Sequence, residues 1–285
     1  MKNKNQFKFP CKICGGREHI FLFAELKNKK TYNSFVCLNC DVIQSTINSK
    51  YSITEYMRLD FNKIDSQHIF LQTQHKFSAF KDCLKKVFYL ANKDKFLNVI
   101  DIGCGVGGFL DYISNYSQNT FGFDASDAQI SICKKRHPNV KQSISIDEYL
   151  TSLNFNSKFD LITMWDVFEH VRNPQQFLLE LRNYCDEKTL IFISVPNGNF
   201  ARLKVKFFRL FNYPTDLVPW EHVFYYNRES FQSLFQATGY EIIDFGSVPL
   251  YERKMSFKEF FRRFFAHIFC FSKYTPQIYC IVKKS

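Results

Sequence analysis

With 285 residues, 46% of them hydrophobic and 23% charged, the chain is long enough for one α/β domain and a small accessory module, and too apolar to be disordered. No apolar run reaches the length of a membrane-spanning helix, and the opening MKNKNQFKFPCK lacks the apolar core of a signal peptide, so a cytoplasmic location is expected. The net charge of +11 is unevenly placed: residues 1–50 and 200–285 each carry +6, whereas residues 51–199 carry −1. Nucleic acid, an anionic membrane surface or a phosphorylated substrate would suit such ends, and solvated lysines explain them equally well.

Residues 1–50 contain Cys11-x-x-Cys14 and Cys37-x-x-Cys40, with 22 residues between the pairs. Two such knuckles in an intracellular chain present four thiolates at the spacing of a tetrahedral zinc site, although the interval is slightly wider than usual. Four protein ligands leave no open position, so the site reads as structural Zn2+, and a ribbon this short needs the metal to fold. The six other cysteines, at 83, 104, 133, 185, 270 and 280, follow no spacing and read as small buried hydrophobes.

Residues 51–95 predict one or two helices, the second with apolar residues at 77, 80, 84, 87 and 88 on one face. They read as a lid or linker over a cofactor pocket, with Tyr51, Tyr56 and His75 within its reach.

The stretch Leu97–Leu110, LNVIDIGCGVGGFL, predicts a buried strand, a tight turn and a helix, with glycines at 103, 105, 107 and 108. Glycine lets the backbone turn sharply while leaving a ligand room against its amides. The spacing of Gly103, Gly105 and Gly108, with Asp124 further on, satisfies the dinucleotide pattern as well. Asp101 discriminates: a carboxylate beside the turn would repel a pyrophosphate and attract the ammonium group of S-adenosylmethionine (SAM). Here DIGCGVGG resembles the first motif of the class I SAM-dependent methyltransferases. That resemblance implies a Rossmann-like α/β fold, a seven-stranded, mostly parallel sheet with an antiparallel last strand, preceded here by the small zinc ribbon. Gly103, Gly105, Gly107 and Asp101 would hold the methionine part and Asp124 the ribose, with Asp147 reaching the adenine from the loop after the third strand.

The next strands are predicted at 120–124, 140–144, 159–164 and 190–195, with a helix over 126–136 capped by Ser126 or Asp127. Phe159–Val171, FDLITMWDVFEHV, is similar to a motif of the quinone-type O-methyltransferases. It ends the fourth strand, where that family keeps its methyl donor, which adds Asp166 to the cofactor-contacting set. Asp166-x-x-Glu169-His170 resembles the E-x-x-E-H group on which some relatives bind a divalent ion. Asp in place of the first Glu shortens the reach, so Mg2+ is not favoured and His170 is taken as a base or a structural residue. Trp220–Tyr226, WEHVFYY, resembles the E-H-x-x-Y-F pattern that faces the acceptor in relatives, which makes Glu221 and His222 the preferred acid/base pair. A helix over 228–238 ending at Gly239 and strands at 240–248 and 277–282 complete the pattern. Between those strands, residues 256–271 predict an amphipathic helix with a basic face, suited to its own core, to a partner subunit or to peripheral contact with the inner face of a membrane.

The division is therefore 1–50 zinc ribbon, 51–95 helical lid and 96–285 methyltransferase domain with helix 256–271 inserted. A zinc ribbon ahead of such a domain resembles the arrangement in some bacterial sugar methyltransferases. The resemblance implies SAM-dependent O-methylation of a sugar or cell-surface glycan precursor, nucleotide-linked or phosphorylated. Alternatives are O- or N-methylation of a quinone-like small molecule, an RNA-binding methyltransferase, or a dinucleotide-dependent oxidoreductase. No nucleic-acid partner is expected, because the interleaved signature of a known RNA-binding module is lacking.

Overall fold

The computed structural model describes residues 6–46, 76–210, 217–248 and 275–285. Tyr51, Tyr56, His75 and the amphipathic segment 256–271 lie outside the described residues.

Five apolar segments form a parallel sheet: β5 (Phe96–Ile102), β6 (Ser117–Asp124), β7 (Val140–Gln142), β8 (Leu161–Trp165) and β9 (Leu190–Pro196). β11 (Tyr240–Ser247) and β12 (Gln277–Lys284) complete it in the order β11-β12-β9-β8-β5-β6-β7, with β12 antiparallel to both neighbours. The chain runs outward from β5 through β6 to β7, then returns to build β8 and β9 on the other side. The strand order therefore reverses beside β5, and ligands bind such sheets at the carboxyl ends of the strands flanking that point.

Alternate residues of the central strands feed two cores. Val99, Leu161, Leu190 and Phe192 face one side, under α1 (Phe77–Ala91), α2 (Gly108–Ile113) and α3 (Asp127–Cys133). Ile100, Ile102, Ile162, Met164, Ile191 and Ile193 face the other, under α4 (Ile146–Ser152), α5 (Pro174–Leu181) and α7 (Arg228–Thr238). Burial on both faces explains why these strands read as continuous apolar runs. The stripe predicted on α1 packs as expected, with Phe80, Leu84 and Val87 buried. α3 begins at the predicted cap, Ser126 accepting from the Gln129 amide. α7 spans the residues expected of it: Asn227 and Ser230 form a reciprocal cap at its start, and Gly239 ends it at φ 70°. Its Phe231, Leu234 and Phe235 are buried, each worth about 1.5–3 kcal/mol of apolar transfer.

The cysteine-rich segment forms a second, antiparallel sheet: β1 (Gln6–Lys8), β2 (Glu18–Lys27), β3 (Lys30–Cys37) and β4 (Ile43–Ser45). Asn28 and Lys29, both at positive φ, make the two-residue turn between β2 and β3. This sheet extends past the expected boundary at residue 50. Its fifth strand is β10 (Phe224–Tyr225), which pairs Phe224 with Gln44 and Tyr225 with Ile43. β10 lies between α6 (Gly198–Leu210) and α7, and the cysteine segment's Ile13 and Val42 join the core beneath α5 and α7.

Candidate functional site

The glycine turn leaves β5 with Gly103, Gly105 and Gly107 all at positive φ. A side chain on Gly103 would start 2.4 Å from Val167 Cγ2, so only glycine lets the turn close under the segment that follows β8. The Gly105 amide donates to Asp124 Oδ2 at 3.0 Å, and the Ser126 amide to Oδ1 at 2.8 Å, which fixes the Asp124 carboxylate at the end of β6. Burial raises the Asp124 pKa against these amide hydrogen bonds. Asp101, 3% exposed, accepts from the Thr163 hydroxyl at 2.7 Å. Burial pushes its carboxyl up to about 7, although the Thr163 bond favours the ionised form. Behind the turn, Arg136 forks onto Asp111 of α2 and donates to the Val106 carbonyl at 2.7 Å.

Asp166 follows β8 at φ 57°, a conformation rare outside glycine, asparagine and aspartate. Lys76, just ahead of α1, donates to its Oδ2 at 2.9 Å, and Gln277, at the start of β12, to its Oδ1 at 2.5 Å. No motif in the sequence marks Lys76 or Gln277, because their partner lies on a different strand.

Glu169, His170 and His222 converge in the next turn. Glu169 Oε1 lies 4.0 Å from Nε2 of each histidine, and the two rings stand edge to face with centroids 5.0 Å apart. The backbone holds this geometry: the Val223 amide donates to the Glu169 carbonyl at 3.0 Å, and His170 Nδ1 meets the Glu221 carbonyl oxygen at 2.9 Å. Burial, reinforced by neighbouring Asp166, raises the Glu169 pKa well above the carboxylate range. Burial lowers that of His170, and lowers that of His222 to about 3 with His170 beside it. Glu169 Oε2, His222 Nδ1 and the Tyr226 hydroxyl are buried without a hydrogen-bond partner among the described residues.

Two sequence assignments change. Glu221 does not accompany the His222 ring. Its carboxylate accepts from Trp220 Nε1 at 3.0 Å and lies 4.0 Å from Lys27 of β2, as Glu221 sits in a turn and its amide bonds back to the Val218 carbonyl. The carboxylate beside His222 is Glu169, which the sequence places only in the motif resembling a divalent-ion group. Asp147 is not in a loop: it occupies the first turn of α4 and accepts from the Tyr184 hydroxyl, where it complements the helix dipole.

Cys11, Cys14, Cys37 and Cys40 present their sulfurs within 4.8 Å of one another. Cys11–Cys40 and Cys14–Cys37 are each 3.7 Å apart, which excludes a disulfide. A tetrahedral metal with bonds of about 2.3 Å sets its sulfurs about 3.75 Å apart, so the cluster has the dimensions of a zinc tetrathiolate. The Ile13 and Gly16 amides approach Cys11 and Cys14 Sγ at 3.4 Å, the support a thiolate needs. Donation from Cys40 lowers the Cys11 pKa to about 5. Glu169, His170 and His222 form a second group of donors. Two imidazoles and one carboxylate suit a transition ion and do not suit Mg2+, which prefers oxygen ligands.

Comparison with known proteins bears on family and fold. A ubiquinone biosynthesis O-methyltransferase from Glaesserella parasuis serovar 5 (strain SH0165) is 33% identical over 106 residues, covering 35% of this chain and 45% of that protein. A mitochondrial ubiquinone biosynthesis O-methyltransferase from Dictyostelium discoideum is 31% identical over 118 residues, 36% of each chain. The chain thus spans less than half the length of these curated relatives. Among solved structures, magnesium protoporphyrin IX methyltransferase from Synechocystis PCC 6803 with bound SAH superposes with TM-score 0.53 at 13% identity, covering 82% of this chain and 98% of that one. The plantazolicin methyltransferase BamL, in complex with a triazolic desmethylPZN analog and SAH, superposes with TM-score 0.52 at 17% identity, covering 81% and 95%. At these identities the likeness is one of fold. Residues 50–244 match the methyltransferase domain family, and the chain belongs to that family.

Proposed function

We propose that the protein is a SAM-dependent O-methyltransferase in which Asp101, Gly103, Gly105, Gly107, Asp124 and Asp166 surround the methyl donor, and His222 with Glu169 and His170 serves the acceptor. The observation that carries this reading is the convergence of a buried carboxylate, Glu169, and two half-buried imidazoles, His170 and His222, beside the segment whose Val167 closes over Gly103. SAM supplies an electrophilic methyl on a sulfonium. The chain's own task is to orient an acceptor hydroxyl and take its proton. His222, with its pKa held near 3 by burial, is neutral at physiological pH and has a lone pair ready. His170, fixed by the Glu221 carbonyl, sets the face His222 presents. The same three side chains would hold a transition ion, which would acidify the hydroxyl directly.

For the acceptor, the leading reading is a sugar or glycan precursor. Trp220, Tyr32 and Lys27 gather around the carboxylate of Glu221, the residue preceding His222, with Lys27 lying 4.6 Å over the Trp220 ring, and aromatic and basic groups suit a saccharide with an anionic carrier. A quinone-like phenol is the second reading, supported by the curated relatives. The four cysteines are proposed to hold one structural Zn2+, on the strength of their sulfur spacing. No described helix is long and apolar enough to cross a membrane, and peripheral membrane contact through residues 256–271 stays a proposal. Incubation with methyl-labelled SAM and, separately, nucleotide-sugar and catechol acceptor mixtures tests the function. Label in the first supports the leading reading, label in the second the alternative, and label in neither overturns both.

A further inference from the structure

The residue after the last cysteine, Asp41, links that knuckle to the acceptor side of the site. It stands at φ 65° with its amide donating to the Cys37 carbonyl at 3.0 Å, so the knuckle itself sets its direction. Both ends of its carboxylate are engaged. Oδ1 lies 2.6 Å from Arg202 Nη2 of α6, and Oδ2 accepts from Asn227 Nδ2 at 2.9 Å. Its carbonyl accepts from the same two side chains, at 2.7 and 3.1 Å. Asn227 is the cap of α7 and directly follows Tyr225 and Tyr226, which are fully buried.

The stretch from His222 to Asn227 is therefore tied down at several points. The Val223 amide bonds to Glu169, the Val223 carbonyl accepts from the Ser45 amide at 2.9 Å, β10 pairs with β4, and Asn227 bonds to Asp41. Two of these ties run to β4 and one to Asp41, all just downstream of Cys40. The Glu169–His222 separation is thereby fixed from the cysteine module as well as from the methyltransferase sheet.

We propose that Asp41 is a positioning residue for methyl transfer, fixing the His222–Asn227 segment against Glu169 by joining the second cysteine knuckle to Arg202 and Asn227. The proposal rests on the reading of His222 and Glu169 as the acid/base groups. It gives the cysteine module a task at the acceptor side, distinct from holding SAM. A carboxylate whose two oxygens engage Arg202 and Asn227 separately, each bond charge-assisted, fixes direction as well as distance.

The test uses the full chain carrying Asp41→Asn. Asparagine tolerates the left-handed backbone, so the knuckle keeps its shape while the ion pair with Arg202 is lost. Amide exchange in 222–227 is expected to quicken at least tenfold while that in 101–107 stays unchanged. With a labelled acceptor, kcat should fall at least tenfold and the KM for SAM should stay within twofold. Arg202→Gln removes the same contact from the other side and should shift both readouts in the same direction. Wild-type exchange in 222–227 overturns the proposal, as does wild-type kcat despite faster exchange, which leaves Asp41 a purely structural residue. His222→Ala serves as the control: if it turns over like wild type, the acid/base reading fails, and faster exchange in Asp41→Asn would still show the tether.

Discussion

The Glu169 carboxylate and the His222 imidazole face each other at 4.0 Å although they come from different segments of the chain, and the Val223 amide bonded to the Glu169 carbonyl keeps them there. Burial raises the pKa of the acid and lowers that of the base, His222 to about 3. A proton accepted by His222 would lie within 4.0 Å of the Glu169 carboxyl. His222→Ala should cut turnover about 10²–10⁴-fold, the usual worth of a general base, and leave the SAM-induced thermal shift intact. Single-turnover transfer from labelled SAM measures it, and full turnover in the variant would move the base elsewhere.

With Asp101 at the proposed ammonium site, SAM binding is expected to depend on pH. Its folded-state pKa of about 7 lies above the ordinary 3.8, so between these values the native chain holds a proton that the unfolded chain has released. The stability this contributes is complete below pH 3.8 and is lost as pH rises through 7. Without SAM, wild type should therefore lose stability relative to Asp101→Asn between pH 4 and 8, as read by thermal melts. Binding of the cationic donor favours the ionised carboxylate, so SAM affinity should tighten up to about tenfold per pH unit below 7 and then level off. Calorimetric titration across this range checks it. A flat profile shared by wild type and Asp101→Asn would remove Asp101 from the ammonium site.

The cysteine cluster predicts a metal-dependent acceptor side. Strong chelation at neutral pH should release about one zinc per chain and speed exchange first in 11–45 and 222–227, because β10 shares the cysteine sheet. The glycine turn, which sits in the other sheet, should keep its protection. Elemental analysis with exchange mass spectrometry reads both, and a chain isolated without metal yet fully protected in 11–45 would reject the zinc.

What the sequence revealed and what it concealed divide along physical lines. The glycine turn, the parallel strands, the cap of α3 and the end of α7 were legible because each is a local pattern: glycines after an apolar run, burial on two faces, a Ser cap and a Gly stop. The four-cysteine cluster was legible because paired Cys-x-x-Cys spacings bring four sulfurs together. The partner of His222 was not, since adjacency in sequence suggested Glu221, whereas the turn at 218–222 engages Glu221 with Trp220 and Glu169 arrives from another loop. β10 escaped as well: two residues carry too little periodicity to announce a strand, and its pairing with β4 depends on contacts across most of the chain. Lys76 and Gln277 acquire their meaning only from Asp166, which strand order brings between them.

Gly198 offers a steric test of the same assembly. It opens α6 directly beneath β10, where its amide donates to the Tyr226 carbonyl at 2.6 Å. A Cβ there would lie 2.7 Å from the Tyr225 carbonyl oxygen and 2.9 Å from that of Tyr226. These are backbone atoms, held on their far side by β4, so they cannot rotate away as a side chain would. Gly198→Ala should therefore cost about 1–3 kcal/mol through overpacking. At about 2–4 °C per kcal/mol for a chain of this size, the melting temperature should drop by about 2–12 °C. Turnover below the melting range should fall as well, because the strand that shifts carries the residues next to His222, while SAM affinity should hold. A variant that melts and turns over like wild type would show that α6 and β10 do not meet as closely as this packing requires.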